Sequence, residues 1–251
     1  MTRYKLILAY DGTAYSGWQQ QPDNSAVSNM LEKRFKEVFH FPISAIGASR
    51  TDAGVHALGQ VVIFDSDVII DPCALSHAWN NRLPNDLLIR SIQFANYSFH
   101  PQANVKQKEY WYHFFPNRPL PYASRYGFWM RHEVAIEKLN DALQIFVGTH
   151  DFRSFCSGEH ANTIRTIDHI SVSYIKKFGV YRVRVRGPKF LRYMIRRIVG
   201  AALEVSSRPG LSIKYIEDIL YAKNPEHTLP SAPAHGLMLA HIKYNDEGSH
   251  E

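Results

Sequence analysis

The first hundred residues carry an order of elements that few folds can satisfy. Tyr4, Leu6, Leu8 and Tyr10 alternate along one side of an N-terminal strand. Val27, Met30, Leu31, Phe35, Val38 and Phe39 share one face of a helix over 25–39, with Ser25 as its N-cap. A short apolar strand from Pro42 to Ile46 and another from Gln60 to Phe64 flank a loop of small residues. Asp71-Pro72 opens a second helix, with proline in its first turn, that runs to about Asn81. Residues Arg82 to Asp86 turn the chain into a strand from Leu87 to Phe94. The order β-α-β-β-α-β predicts the split βαβ arrangement of a ferredoxin-like α+β domain.

The second half, from about Lys106, also reads as α+β, with no strong internal repeat. Glu109 to Phe115 is an aromatic strand with Tyr110, Tyr112 and Phe114 on one face, a pattern that core packing explains for at least two of them. Ile136, Leu139, Leu143 and Phe146 mark a helix over 134–147, and a long strand runs from Thr163 to Ile175. Arg182, Arg184 and Arg186 then alternate with Tyr181, Val183 and Val185, giving a strand with one cationic face suited to a phosphate backbone. Gly187-Pro188 breaks it, and a helix begins near Lys189 with Phe190, Met194, Ile198, Val199, Leu203 and Val205 as its apolar stripe. Arg196 lies one step from that stripe, as a semi-buried cation would, whereas Arg192 and Arg197 face phosphates or solvent. A helix over 212–222 and a final strand after His235-Gly236 complete the chain. The boundaries drawn are 1–104 and 105–251.

Charge narrows the class of partner. The net charge is +6, and the stretch 176–197 holds nine Lys and Arg with no Asp or Glu, leaving the remainder at about −3. Such a stripe suits a polyanion, most simply nucleic acid; a solvated surface is the plainer reading. At 21% charged and 45% hydrophobic residues the chain is no candidate for disorder. No apolar run approaches the roughly 18 residues of a membrane span. The N-terminus enters a strand pattern at once, so no signal peptide is expected. Cys73 and Cys156 stand alone, which points to a reduced, cytoplasmic setting.

The densest chemistry lies in Ala48-Ser49-Arg50-Thr51-Asp52-Ala53-Gly54-Val55-His56-Ala57-Leu58-Gly59-Gln60. Arg50, Thr51, Asp52 and His56 sit among residues small enough for a ligand to approach the backbone. Asp before Ala-Gly is also ordinary turn chemistry, and Arg50 with Asp52 is also a plain ion pair. Arg-Thr-Asp-Ala-Gly-Val-His-Ala resembles the signature of the tRNA pseudouridine synthase A (TruA) family. The resemblance extends from Tyr10 to Tyr244. Tyr10-Asp11-Gly12 and Gly17-Trp18-Gln19 resemble the family's opening; Trp18 either stacks on a base or caps the core. Phe99-His100-Pro101-Gln102 resembles Phe-His-Ala-Arg, with Gln102 in place of Arg. Lys108-Glu109-Tyr110-Trp111-Tyr112 resembles a basic-x-Tyr-x-Tyr motif, and Asp151-Phe152-Arg153-Ser154-Phe155 an Asp-Phe-x-Ser-Phe turn. Phe190 to Gly200 resembles Phe-x-x-x-Met-(Val or Ile)-Arg-x-Ile-Val-Gly, and Gly236-Leu237-Met238-Leu239 the closing Gly-Leu-x-Leu.

That resemblance implies two α+β domains around a basic cleft, their sheets joined into a larger mixed sheet. It implies isomerisation of uridine to pseudouridine at positions 38, 39 and 40 of the tRNA anticodon stem-loop, by a homodimer without a cofactor. It maps the active-site residues onto Asp52, Tyr110 and Arg196. Asp52 would attack C1′, act on the ring or act as a base at C2′. Arg196 is its candidate partner, since an adjacent cation favours the ionised form. Tyr110 would stack on the flipped base, and Arg50 would help to displace it. His56 fixes the loop, contacts RNA or carries a proton. Arg182, Arg184, Lys189, Arg192 and Arg197 are the remaining candidate RNA contacts. The departures at Gln102 and Glu109 are expected to tune RNA contacts.

Two other classes compete. A non-catalytic RNA-binding protein on the same fold would be marked by loss of Asp52, which is present. A metal-dependent nuclease or phosphotransferase is kept open by thirteen His, but no His-Glu-x-x-His or paired acidic cluster supports it, and no metal is expected.

Overall fold

The computed structural model describes residues 1–103, 105–226 and 229–245. Its contacts divide the chain into two compact units, Met1–Lys106 with the chain from Met238 on, and Gln107–Leu237.

In the first unit β1 (Thr2–Tyr10) is followed by α1 (Val27–Phe39), β2 (Ile46–Gly47), β3 (His56–Ser66), α2 (Pro72–Asn80) and β4 (Leu87–Phe94). The sheet runs β4-β1-β3, with β2 on the far side of β3, and these neighbours are antiparallel. This is the strand order of the split βαβ unit. Alternation in β1 buries Tyr4, Leu6, Leu8 and Tyr10 on the face that α1 and α2 cover. Phe35 of α1 meets Phe64 of β3 and Trp79 of α2 with ring centroids 5.5 and 4.9 Å apart. The indole N–H of Trp79 donates to Leu31 C=O. Asp71 caps α2 by accepting from the N–H groups of Cys73 and Ala74, ahead of Pro72. The α1 cap differs from expectation. Ala26 is the N-cap, because the Ser25 hydroxyl is bonded to Asp23 at 2.6 Å.

The second unit contains β5 (Val105–Phe115), β6 (Phe128–Trp129), α3 (Ile136–Gln144), β7 (Gly148–Asp151), β8 (Ile164–Ile167), β9 (His169–Ile175), β10 (Val180–Gly187), α4 (Met194–Ser207) and α5 (Lys214–Ala222). β10 pairs antiparallel with β5 on one side and β9 on the other. Tyr110, Tyr112 and Phe114 are all buried, opposite Val185, Val183 and Tyr181. The strand expected over 163–175 is two strands. β8 pairs with β7 and β9 with β10, and the chain changes ladders at Asp168, whose N–H donates to Arg186 C=O. The helix expected from Lys189 starts five residues later, at Met194. Pro188 cannot donate, and Tyr193 holds a left-handed φ of 62° at the N-cap.

The last strand, β11 (Leu237–Tyr244), runs parallel to β3, with Met238 opposite His56 and Leu239 opposite Ala57. The domain boundary read from the sequence gave this strand to the second half; its pairing returns it to the first unit. Asn104, where that boundary fell, lies outside the described residues, as do 246–251.

Candidate active site

The Asp52 loop spans the end of β2 and the start of β3, and its backbone is held at nearly every step. Ala48 N–H donates to Val61 C=O at 2.8 Å. Gln60, fully buried, uses both ends of its amide on Ser49, accepting from the N–H at 3.1 Å and donating to the C=O at 2.5 Å. Thr51 shares a hydroxyl bond with Tyr10 at 2.7 Å, and its C=O accepts from Trp18 N–H. Val55 N–H closes a turn onto Asp52 C=O, and Gly54 N–H donates to Tyr15 C=O with a φ of 76° that favours glycine. A Cβ on Gly17 would lie 2.6 Å from Thr51 O, so that approach also needs glycine. Arg50 and Ala53 are exposed and Asp52 is half-buried. The result is a fixed loop with buried supports, an exposed Arg50 and a half-buried Asp52.

His56 is the first residue of β3 and 1% exposed. Its Nδ1 accepts from Gly12 N–H at 3.0 Å, with Asp11 Oδ1 3.1 Å away. An RNA contact at His56 therefore gives way to holding the Asp11–Gly12 turn against the loop. Trp18 is buried beneath Gly47, which settles it as a core cap. Gln102 donates to Gly47 C=O at 2.9 Å, tying the 99–103 segment to β2.

In the second unit Tyr110 is 5% exposed and meets Phe190 edge-on at 5.4 Å. Lys108 lies two residues away on the same side of β5. Burial, and then the charge of Lys189, push its ammonium down to about 8. Lys189 and Arg192 are exposed. Arg196, in the first turn of α4, donates from Nε to Ala232 C=O at 2.8 Å and lies 5.1 Å from the Tyr193 ring centroid. Arg197 Nη1 is bonded to Cys156 C=O, so its guanidinium is engaged within the protein.

Arg182, Arg184 and Arg186 occupy the opposite side of the sheet from Tyr110, across from His113, Trp111 and Glu109. Arg182 stacks on Trp111 at 3.8 Å and donates from Nε to His113 Nε2. Arg186 and Arg184 approach Glu109 at 2.6 and 3.2 Å. Burial pushes the Glu109 carboxyl up, but hydrogen bonds from Trp111 and Arg186 and the two arginine charges outweigh it and hold it low. The cationic face read from β10 is thus real, but it does not share a side with Tyr110.

Sequence reasoning passed over Gln60. Its signal is one amide in the otherwise apolar run of β3. Gln60→Leu would remove both amide bonds to the buried Ser49 backbone, at a cost of about 2 kcal/mol. Urea unfolding should read that loss directly.

Among the described residues no group of three or more His, Cys, Asp or Glu could hold a metal ion. No described helix is long and apolar enough to cross a membrane.

Residues 6–102 and 142–245 match the family described as tRNA pseudouridine synthase. A protein named tRNA pseudouridine synthase A from Pseudothermotoga lettingae is 36% identical over 97% of this chain and 100% of its own length. Another of that name from Chlamydia trachomatis serovar L2b is 37% identical over 95% of this chain and 91% of its own. A Cbf5-Nop10-Gar1 complex overlaps with 80% of this chain and 45% of its own, at 13% identity and a TM-score of 0.33, too distant to bear on the site. With its fixed Asp loop and its arginine-rich second unit, the chain belongs to the tRNA pseudouridine synthase family.

Proposed function

We propose that this tRNA pseudouridine synthase converts uridine to pseudouridine at positions 38, 39 and 40 of the anticodon stem-loop, with Asp52, Tyr110 and Arg196 as its active-site residues. The observation that carries the reading is the Asp52 loop, where buried Thr51 and Gln60 hold the backbone on either side of a half-buried Asp52. The reaction breaks N1–C1′, turns the uracil, forms C5–C1′, removes the C5 proton and protonates N1. It gains and loses no electrons, so positioned acid–base or nucleophilic groups suffice. Asp52 serves at C1′, at C2′ or on the ring. A cation keeps a carboxylate ionised when water is excluded, and Arg196 is assigned that part. Tyr110 stacks on the extruded base and Arg50 helps to extrude it, at an unstacking cost of a few kcal/mol.

Lys189 and Arg192 are assigned to phosphates near the target. Arg182 and Arg184 are assigned to backbone contacts elsewhere on the RNA, since they face away from Tyr110. Replacing both with Gln should weaken tRNA binding across sequences. It should also lower the slope of log affinity against log salt by about 1 to 2. An unchanged slope would remove them from the RNA surface. Family membership favours a cytoplasmic homodimer, and light scattering at working concentration tests the mass.

The deciding experiment is pseudouridine mapping on an unmodified tRNA with uridine at positions 38 to 40. New pseudouridine at those positions supports the assignment. Binding without modification favours the non-catalytic reading, and pseudouridine elsewhere in the tRNA refutes the position.

A further inference from the structure

Between β5 and β6 the chain leaves the sheet and returns to it. Phe115 and Trp129 are cross-strand partners in the parallel β5–β6 pair, and Met130 N–H donates to Phe115 C=O at 3.0 Å. Residues 116–127 therefore form a loop closed at its base, a type that is frequently functional. It is braced from within. Ala123 N–H donates to Leu120 C=O, Tyr126 N–H to Ala123 C=O, and the Ser124 hydroxyl to Pro121 C=O at 2.6 Å. Pro116, Pro119 and Pro121 stiffen the outward limb. Gly127 fixes the return, because a Cβ there would lie 2.6 Å from the Phe115 ring.

This fixed loop nevertheless leaves Leu120 61% and Tyr122 74% exposed at its tip. At its base the Trp129 indole is approached by two guanidinium groups, Arg118 at 5.8 Å and Arg131 at 5.4 Å from the ring centroid. From 116 to 132 the chain carries Arg118, Arg125 and Arg131 and no Asp or Glu. Exposed apolar tips suit proteins and nucleic acids alike. Arginines around aromatic rings, with no acid among them, favour a partner with both phosphates and π-faces. Unpaired nucleotides offer both, stacking on aromatic rings and pairing their phosphates with guanidinium groups.

We propose that the 116–131 loop is an RNA-contacting surface of this protein, with Tyr122 as a stacking platform for an unpaired base and Arg118 and Arg131 as contacts to the adjoining phosphates. The proposal rests on the reading that the substrate is tRNA, and it concerns residues outside the set assigned to the target uridine. Because the loop is already ordered, little conformational entropy is lost when RNA docks.

The test uses the full chain and an unmodified full-length tRNA transcript. Tyr122→Ala should weaken the Kd about ten-fold, as loss of one base stack does, and Tyr122→Phe should restore it. Arg118→Ala with Arg131→Ala should weaken binding and reduce the salt slope by about 1 to 1.5, as two lost single-strand phosphate contacts would. Light scattering on each variant reports its oligomeric mass. Weaker tRNA binding at unchanged mass supports the proposal. Unchanged affinity and slope overturn it, and so does a drop in mass that accounts for the lost binding, since the loop is then a protein interface. Wild type is assayed for pseudouridine in the same tRNA. Normal modification by wild type with undiminished binding by the variants refutes the loop alone; a wild type that neither binds nor modifies tRNA refutes the substrate reading and the loop with it.

Discussion

Asp52→Asn should lower pseudouridine formation by at least about 10³-fold, the scale of removing a group that acts on the reacting atoms. The substitution keeps the shape of the side chain and removes its charge. The backbone bonds that hold the loop run through the Asp52 C=O, the Thr51 hydroxyl and both backbone groups of Ser49, none of which the substitution alters. Affinity for tRNA should hold or tighten slightly, because a negative charge facing a polyanion is gone. Single-turnover release of tritium from uridine labelled at C5 measures the chemistry, and a filter assay measures binding. A variant as fast as wild type would take Asp52 out of the mechanism. A variant that is slow only because it binds poorly would make Asp52 a docking residue.

The second large effect is on folding. Gly12→Ala should destabilise the protein by about 3 kcal/mol, the upper range for overpacking a closed site. A Cβ at Gly12 would lie 2.0 Å from Val55 O and 2.6 Å from Val55 C, which are backbone atoms at the end of the Asp52 turn and cannot rotate away. The Gly12 N–H is also the donor to His56 Nδ1, so displacement loosens both ends of the contact. Activity should fall with stability because the same turn presents Asp52. Gly210→Ala is the matched control: nothing lies within 4 Å of its added Cβ, and its unfolding midpoint in urea should stay put. Equal midpoints for the two variants would mean that the Gly12 approach is not a packing constraint.

The alternation of Tyr4, Leu6, Leu8 and Tyr10 was legible because one face of β1 is buried by helices and the other is not. Asp71-Pro72 was legible because capping is decided within three residues. The side of the sheet on which Arg182 and Arg184 lie relative to Tyr110 was not, since it depends on the pairing of β10 with β5 across about seventy residues of chain. The break at Asp168 was hidden for the same reason: Thr163 to Ile175 is a continuous strand former, divided because two partners claim its halves. Tyr193 shows the opposite case, a local choice overridden by context, where the apolar stripe continues but the helix does not. At the candidate site, Asp52 stood out through resemblance. Gln60 did not, because one buried amide looks like any polar residue until its two partners on Ser49 are seen.

The parallel pairing of β11 with β3 bears on how the protein is made. A chain emerging from the ribosome ordinarily completes its N-terminal unit first and folds domain by domain. Here the strand beside His56 and Ala57 comes from residues 238 and 239, so the unit holding Asp52 stays open at that edge until those residues, more than 180 positions on, have been synthesised. The second unit, continuous from Gln107 to Leu237, has all its residues before that strand appears. The edge beside the Asp52 loop therefore closes after the second unit has been synthesised, and a product terminated before residue 238 would carry Asp52 on an unfinished sheet.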